Sequence, residues 1–157
     1  MNKKDPRPPR APWLSPYLIS PDVKKIADFY QKAFGFKLEE LAENEEGQAA
    51  HAEFWHEGAL IMVGLEGEHA GPMRAPASTK TESPICLCLY VRDVDQFFAK
   101  AINHGAKVVF PPADMFWGDR ACCVVDPDGY SWTFCTYLKG KKPAQHEHGD
   151  GCCGGHH

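Results

Sequence analysis

PDVKKIADFYQKAFGF (residues 21–36) and RDVDQFFAKAINHGAKVV (residues 92–109) carry one design twice. In the first, Val23, Ile26, Ala27, Tyr30 and Phe34 recur at three- and four-residue steps, which predicts a helix with one apolar stripe over about 23–34. Asp22 stands where a side chain caps the helix start, and Gly35 where the chain leaves through the left-handed region. In the second, Asp93 precedes Val94, Phe97, Phe98, Ala101 and Ile102, and Gly105 is the stop. The two designs lie about 70 residues apart, the mark of an internal repeat.

Working outward, each helix follows a strand-like run: Trp13 to Ser20 before the first, Ile85 to Val91 before the second. Three further strand candidates follow each helix, at about 36–42, 48–56 and 59–64, then at about 106–111, 118–125 and 130–137. Asp126-Pro127-Asp128-Gly129 separates the last two with residues suited to a tight turn. The predicted order is βαβββ twice, an α+β fold. Residues 13–138 form the single domain, with modules 13–64 and 84–138 and a Gly/Pro-rich linker at 65–83. Residues 1–12 hold four prolines and four basic residues and read as an extended, flexible arm. Residues 139–157 read as a flexible Cys/His-rich tail.

The chain has 157 residues and 17.5 kDa, 43% hydrophobic and 24% charged, enough for one ordinary domain and too apolar for wholesale disorder. No apolar run approaches the ~18 residues of a membrane span. The basic, Pro-rich start lacks the hydrophobic segment of a secretory signal. A net charge of −4 and pI of about 6.0 argue against nucleic-acid binding by phosphate neutralisation. Seven cysteines cannot all pair within one chain, and Cys122-Cys123 and Cys152-Cys153 are adjacent, an awkward geometry for bridges. A reduced, cytoplasmic protein is expected, its partners a small molecule and a second copy of itself.

The repeated units, with HAEFWHEGALIMVG (51–64) and FWGDRACCVVDPDGYSWTFCTY (116–137), resemble the vicinal oxygen chelate superfamily of glyoxalase I, bleomycin-resistance proteins and extradiol dioxygenases. The resemblance covers about 13–137 and is closest to the bleomycin-resistance and demethylubiquinone-methyltransferase-like branch. It implies curved mixed sheets around a cavity, and often a homodimer in which modules pair across chains. Metal-dependent members place ligands on the first and last strand of each module. By that likeness the four positions here are Ser15, Met62, Cys86 and Thr133. Hydroxyl, thioether and thiol donors replace the imidazole and carboxylate that hard divalent cations take. Hence no cofactor is expected in the cavity; a soft ion such as Cu⁺ at Met62 and Cys86 is the alternative, against ordinary core filling.

Strand alternation from Thr133 turns Ser131, Cys135 and Tyr137 toward the cavity, and Tyr130, Trp132 and Phe134 under the helices. Trp13, Ser15, Tyr17, Ile19, Cys86, Cys88 and Tyr90 face inward on the first strands. Candidate ligand contacts are therefore Trp13, Tyr17, Met62, Cys86, Thr133 and Tyr137, with Trp117 as a stacking face and Arg120 as a planar cation. A structural Arg–Asp pair at the rim is the other reading of Arg120. His51 and Glu53 share a strand face about 7 Å apart. They read either as a general base with its carboxylate partner, in a lyase, isomerase or dioxygenase-type enzyme, or as an exposed polar face. In the tail, His146, His148, Cys152, Cys153, His156 and His157 crowd six nitrogen and sulfur donors together, suited to adventitious Zn, Ni or Cu without a zinc-finger spacing. A metal-handling protein acting through that tail is the third reading.

Overall fold

The computed structural model of the chain describes residues 4–69 and 71–140. The first module runs β1 (Tyr17–Ser20), α1 (Val23–Phe29), β2 (Lys37–Glu43), β3 (Ala49–His56) and β4 (Ala59–Leu65). A short helix α2 (Pro76–Thr79) lies in the linker. The second module repeats the order with β5 (Cys86–Tyr90), α3 (Val94–Asn103), β6 (Lys107–Asp114), β7 (Asp119–Val125) and β8 (Ser131–Tyr137). The caps are those the sequence predicts: the Asp22 carboxylate accepts from the Lys25 N–H at 3.0 Å, and Asp93 from the Gln96 N–H at 3.1 Å.

Three local departures have physical causes. β1 begins at Tyr17 rather than Trp13, since Pro12 and Pro16 lack the N–H that a ladder needs. α1 widens into a π-helical turn over Tyr30–Phe34 and ends at Gly35, whose φ is +65°. α2 is only four residues long and carries no periodicity that the sequence could show, yet Pro76 presets its first turn. In the N-terminal arm the Arg7 guanidinium sits 4.2 Å from the Trp13 ring centre, and Arg10 reaches β3, 4.9 Å from the ring centre of Trp55.

Each module makes one mixed four-stranded sheet, ordered β1-β4-β3-β2 and β5-β8-β7-β6, with the first-to-last strand pair parallel and the rest antiparallel. α1 covers β3 and β4, and α3 covers β7 and β8. One side of each sheet feeds a single shared core: Leu18, Phe54, Ile61 and Val63 from the first, Cys122, Val124, Trp132 and Phe134 from the second. Tyr30 and Phe34 bind the halves together, with ring centres 5.6 Å from Trp132 and 4.9 Å from Phe134 respectively. The two sheets therefore share their helix-bearing sides, and their other sides point away from each other.

The turn Asp126–Gly129 is the polar hub of that junction. Asp126 is buried and its carboxylate accepts from Tyr30 Oη (2.7 Å), Trp132 Nε1 (2.9 Å), and the N–H groups of Asp128 (2.9 Å) and Tyr130 (3.0 Å). Tyr130 Oη accepts from the Ile19 N–H and donates to the Ile19 carbonyl, both at 2.9 Å, closing the free edge of β1. Gly129, at φ +89°, leaves room for the Ala77 backbone, which donates to the Asp128 carbonyl at 2.9 Å. Among the described residues no helix is long and apolar enough to cross a membrane.

Candidate functional site

The outer face of the first sheet carries Tyr17, His51, Glu53 and Met62, because Tyr17 and Glu53 both stand opposite Met62 and His51 opposite Gly64 in the ladder. The Tyr17 ring lies across Gly64, where any Cβ would collide with it, so glycine there permits the ring to lie flat. That placement stacks Tyr17 on His51, ring centres 5.8 Å apart, with Tyr17 Oη 3.5 Å from His51 Nδ1. His51 Nε2 lies 3.4 Å from Glu53 Oε1. Both side chains are a little over a quarter exposed. The strand pairing thus brings the His–Glu pair closer than backbone spacing alone implies, and adds Tyr17 to it. Ile19, on the same alternation, is buried.

The outer face of the second sheet is rich in thiols. Cys86, Cys88 and Tyr90 of β5 pair with Ser131, Thr133 and Cys135 of β8, and Cys123 and Asp119 of β7 pair with Thr133 and Tyr137. Cys86 Sγ is 3.1 Å from Thr133 Oγ1, and Cys88 Sγ is 3.7 Å from Cys135 Sγ. All five described cysteines are free. Burial pushes the Cys135 thiol up to about 12 and the Cys122 thiol up to about 11; it raises Cys123 as well. Tyr90, Tyr137 and Tyr17 remain 57%, 61% and 42% exposed, so neither outer face is covered within one chain. Tyr130, Trp132 and Phe134 lie under the helices, as the alternation predicts.

The four positions that the resemblance marks fall into two separate pairs. Met62 donates its N–H to the Pro16 carbonyl at 3.0 Å, next to Ser15, while Cys86 touches Thr133 on the other sheet. None of the four is an imidazole or a carboxylate. Among the described residues no group of three or more His, Cys, Asp or Glu side chains gathers closely enough to hold a metal ion.

Arg120 and Trp117 part company. Arg120 Nε and Nη2 donate to the two oxygens of Asp95 on α3, at 2.7 and 2.8 Å, and Nη1 donates to Asp114 at 3.0 Å. Strand alternation puts Arg120 on the side of Cys122 and Val124, away from Thr133. Its neighbour Asp119 occupies the outer face instead, buried, accepting from Tyr90 Oη at 2.9 Å and Trp117 Nε1 at 3.0 Å. That hydrogen bond, followed by burial, pushes the Tyr90 hydroxyl up to about 12. Asp119 is a site residue that sequence reasoning passed over; the 119↔137 register finds it once β7 and β8 are aligned. Trp13 lies just before β1 and is 74% exposed. His146, His148, Cys152, Cys153, His156 and His157 lie outside the described residues.

The family model described as Glyoxalase/Bleomycin resistance protein/Dioxygenase superfamily matches residues 12–134. An uncharacterised protein of Mycobacterium tuberculosis (strain H37Rv) is 33% identical over 123 residues, covering 78% of this chain and 72% of the relative. One from Mycobacterium bovis has the same identity over 81% of its own length. Among solved structures, TioX from Micromonospora sp. ML1 is 28% identical with a TM-score of 0.65, covering 79% of this chain and 98% of that one. A superfamily member from Sphaerobacter thermophilus, at 21% identity and TM-score 0.62, covers 79% of this chain and 96% of its own, and shares the fold.

Proposed function

The chain belongs to the glyoxalase/bleomycin resistance protein/dioxygenase superfamily, and on that premise we propose that it binds a small organic ligand between outer sheet faces, without a divalent metal. The observation that carries this is the pair of uncovered aromatic faces. Tyr17, His51, Glu53 and Met62 on one, and Cys86, Tyr90, Thr133 and Tyr137 on the other, offer rings, thiols and hydroxyls, and among the described residues of one chain no three or more His, Cys, Asp or Glu side chains gather to hold a cation. Such a surface suits a flat or amphipathic molecule. Because the two faces of one chain point apart, a cavity forms when a second copy sets its face against the first, and the protein acts as a homodimer. Large exposed side chains at Tyr17, Tyr90 and Tyr137 support that pairing. The five free thiols among the described residues suit a reducing cytoplasm.

A panel of planar aromatic amphiphiles screened by thermal shift, with titration calorimetry on the hits, tests the reading in protein dialysed against chelator. Binding at one site per chain, unaffected by chelation and weakened at least about tenfold by Tyr90→Ala (~1.4 kcal/mol), is the expected result. Binding that disappears with the metal and returns with one divalent cation per chain overturns it.

A second reading rests on the Tyr17–His51–Glu53 array. With Oε1 3.4 Å from Nε2, Glu53 orients the imidazole, leaving His51 to accept a proton from a ligand carbon or hydroxyl as a lyase or isomerase requires. Turnover of a hemithioacetal that falls to background in His51→Ala supports it; an unchanged rate removes His51 from the chemistry.

A further inference from the structure

We propose that the cleft where the two modules meet at Phe34, Val91, Phe97 and Lys100 binds a small aromatic monocarboxylate, at a site separate from the outer sheet faces and independent of them. The cleft measures about 360 Å³, the small end of the range of about 300–1,000 Å³ that ligand pockets occupy. The β3–β4 turn and the end of the π-helical turn supply one wall, and the β5–α3 loop with the first turns of α3 supplies the other.

The internal repeat makes two such junctions and fills only one of them. At the hub, Tyr30 Oη donates to Asp126 at 2.7 Å, and Tyr130 Oη holds the Ile19 backbone. The repeat of about 70 residues places Lys100 where Tyr30 stands, His56 where Asp126 stands and Tyr90 where Ile19 stands. The contact to the backbone survives, since His56 Nε2 donates to the Tyr90 carbonyl at 3.1 Å. The contact between helix and turn does not: among the described residues Lys100 makes no hydrogen bond or ion pair. The space that Asp126, Tyr30 and Trp132 close at the hub stays open here.

The lining selects the ligand. Its floor is apolar, with Phe34 and Val91 buried and the Phe34 and Phe97 rings stacked, centres 5.7 Å apart and 25° between planes, so a flat ring gains most by entering. The charges at the rim are matched except one. Arg92 Nε donates to Glu57 at 2.8 Å, and the Asp93 carboxylate caps α3 through the Gln96 N–H at 3.1 Å. Lys100 remains, its Nζ over Gly35, 3.5 Å from where a Cβ would stand. An ammonium beside apolar rings favours one carboxylate on an apolar body. A second carboxylate would meet Glu57 and Asp93, and an amine would meet the ammonium itself.

The test is amide chemical-shift mapping on the full chain with three probes of one shape: phenylacetate, 2-phenylethanol and phenethylamine. Phenylacetate should shift the amides of Gly35, Val91, Gln96 and Phe97 saturably, with a Kd below about 1 mM. 2-Phenylethanol should bind at least about tenfold more weakly, and phenethylamine should leave those amides unmoved. Lys100→Gln, at an exposed helix position, should keep the parent's spectrum and weaken phenylacetate at least about tenfold. No saturable shift with phenylacetate, equal affinity for all three probes, or full affinity in Lys100→Gln overturns the proposal. Shifts confined to Tyr90, Thr133 and Tyr137 would also overturn it, while leaving the outer-face reading intact.

Discussion

Asp128 makes the stability of this fold depend on pH in a direction opposite to that of an ordinary salt-bridged carboxylate. Its side chain sits in the hub turn, where burial pushes the carboxyl up to about 7; the fields of Asp126 and Glu66 add to this, and the Ser20 hydroxyl and Lys25 oppose it. In the unfolded chain it titrates near 3.9. Below about pH 4 both states hold the proton and folding is unpenalised. As pH rises from about 4 to about 7 the unfolded chain releases its proton while the fold retains it, so stability falls, by up to about 4 kcal/mol above pH 7. Asp128→Asn keeps an acceptor for Ser20 and cannot ionise. Urea unfolding of parent and variant at pH 5, 6, 7 and 8 reads the difference directly. The variant's advantage should grow by about 2.5 kcal/mol between pH 5 and 8, levelling off above about 7. A difference constant to within about 0.5 kcal/mol across that range would refute the placement of a buried, proton-holding Asp128.

Tyr30→Phe removes the hydroxyl that donates to the buried Asp126 carboxylate, and unfolding should show a loss of about 1.5–3 kcal/mol, the range for a bond to a charged group. Arg120→Ala should leave ligand affinity within about twofold (~0.4 kcal/mol), since its guanidinium is held by Asp95 and Asp114 on the side away from Thr133; a tenfold loss in calorimetry would return it to the ligand site. Zn²⁺, Ni²⁺ and Cu⁺ uptake should fall sharply when His146, His148, Cys152, Cys153, His156 and His157 are replaced, as equilibrium dialysis would register, and undiminished uptake would exclude the tail as the binding segment.

Much of this architecture is legible in the sequence because one physical pattern governs it. Apolar steps of three and four residues, with Asp22 and Asp93 ahead and Gly35 and Gly105 behind, leave little choice for α1 and α3. The strands, alternating and bounded by turn residues, fall within a few residues of where they are expected. What the sequence hides depends on partners far along the chain. Asp126 looks like a turn residue, and only the approach of Tyr30 and Trp132 turns it into a buried hub. Arg120 looks like a ligand-facing cation beside Trp117, but the β7–β8 register and Asp95 on α3 claim it, and the outer face receives Asp119. Likewise His51 and Glu53 are visible as a pair, whereas Tyr17 joins them only through the parallel β1–β4 ladder and the gap at Gly64.

The measurement closest to the central claim is elemental analysis of protein with those six tail donors replaced, incubated with Zn²⁺, Ni²⁺, Mn²⁺ or Fe²⁺ and passed through a desalting column. A protein whose four marked positions are Ser15, Met62, Cys86 and Thr133 should retain far less than one ion per chain of any of them. Retention of one ion per chain, lost on substituting Met62 or Cys86, would contradict it.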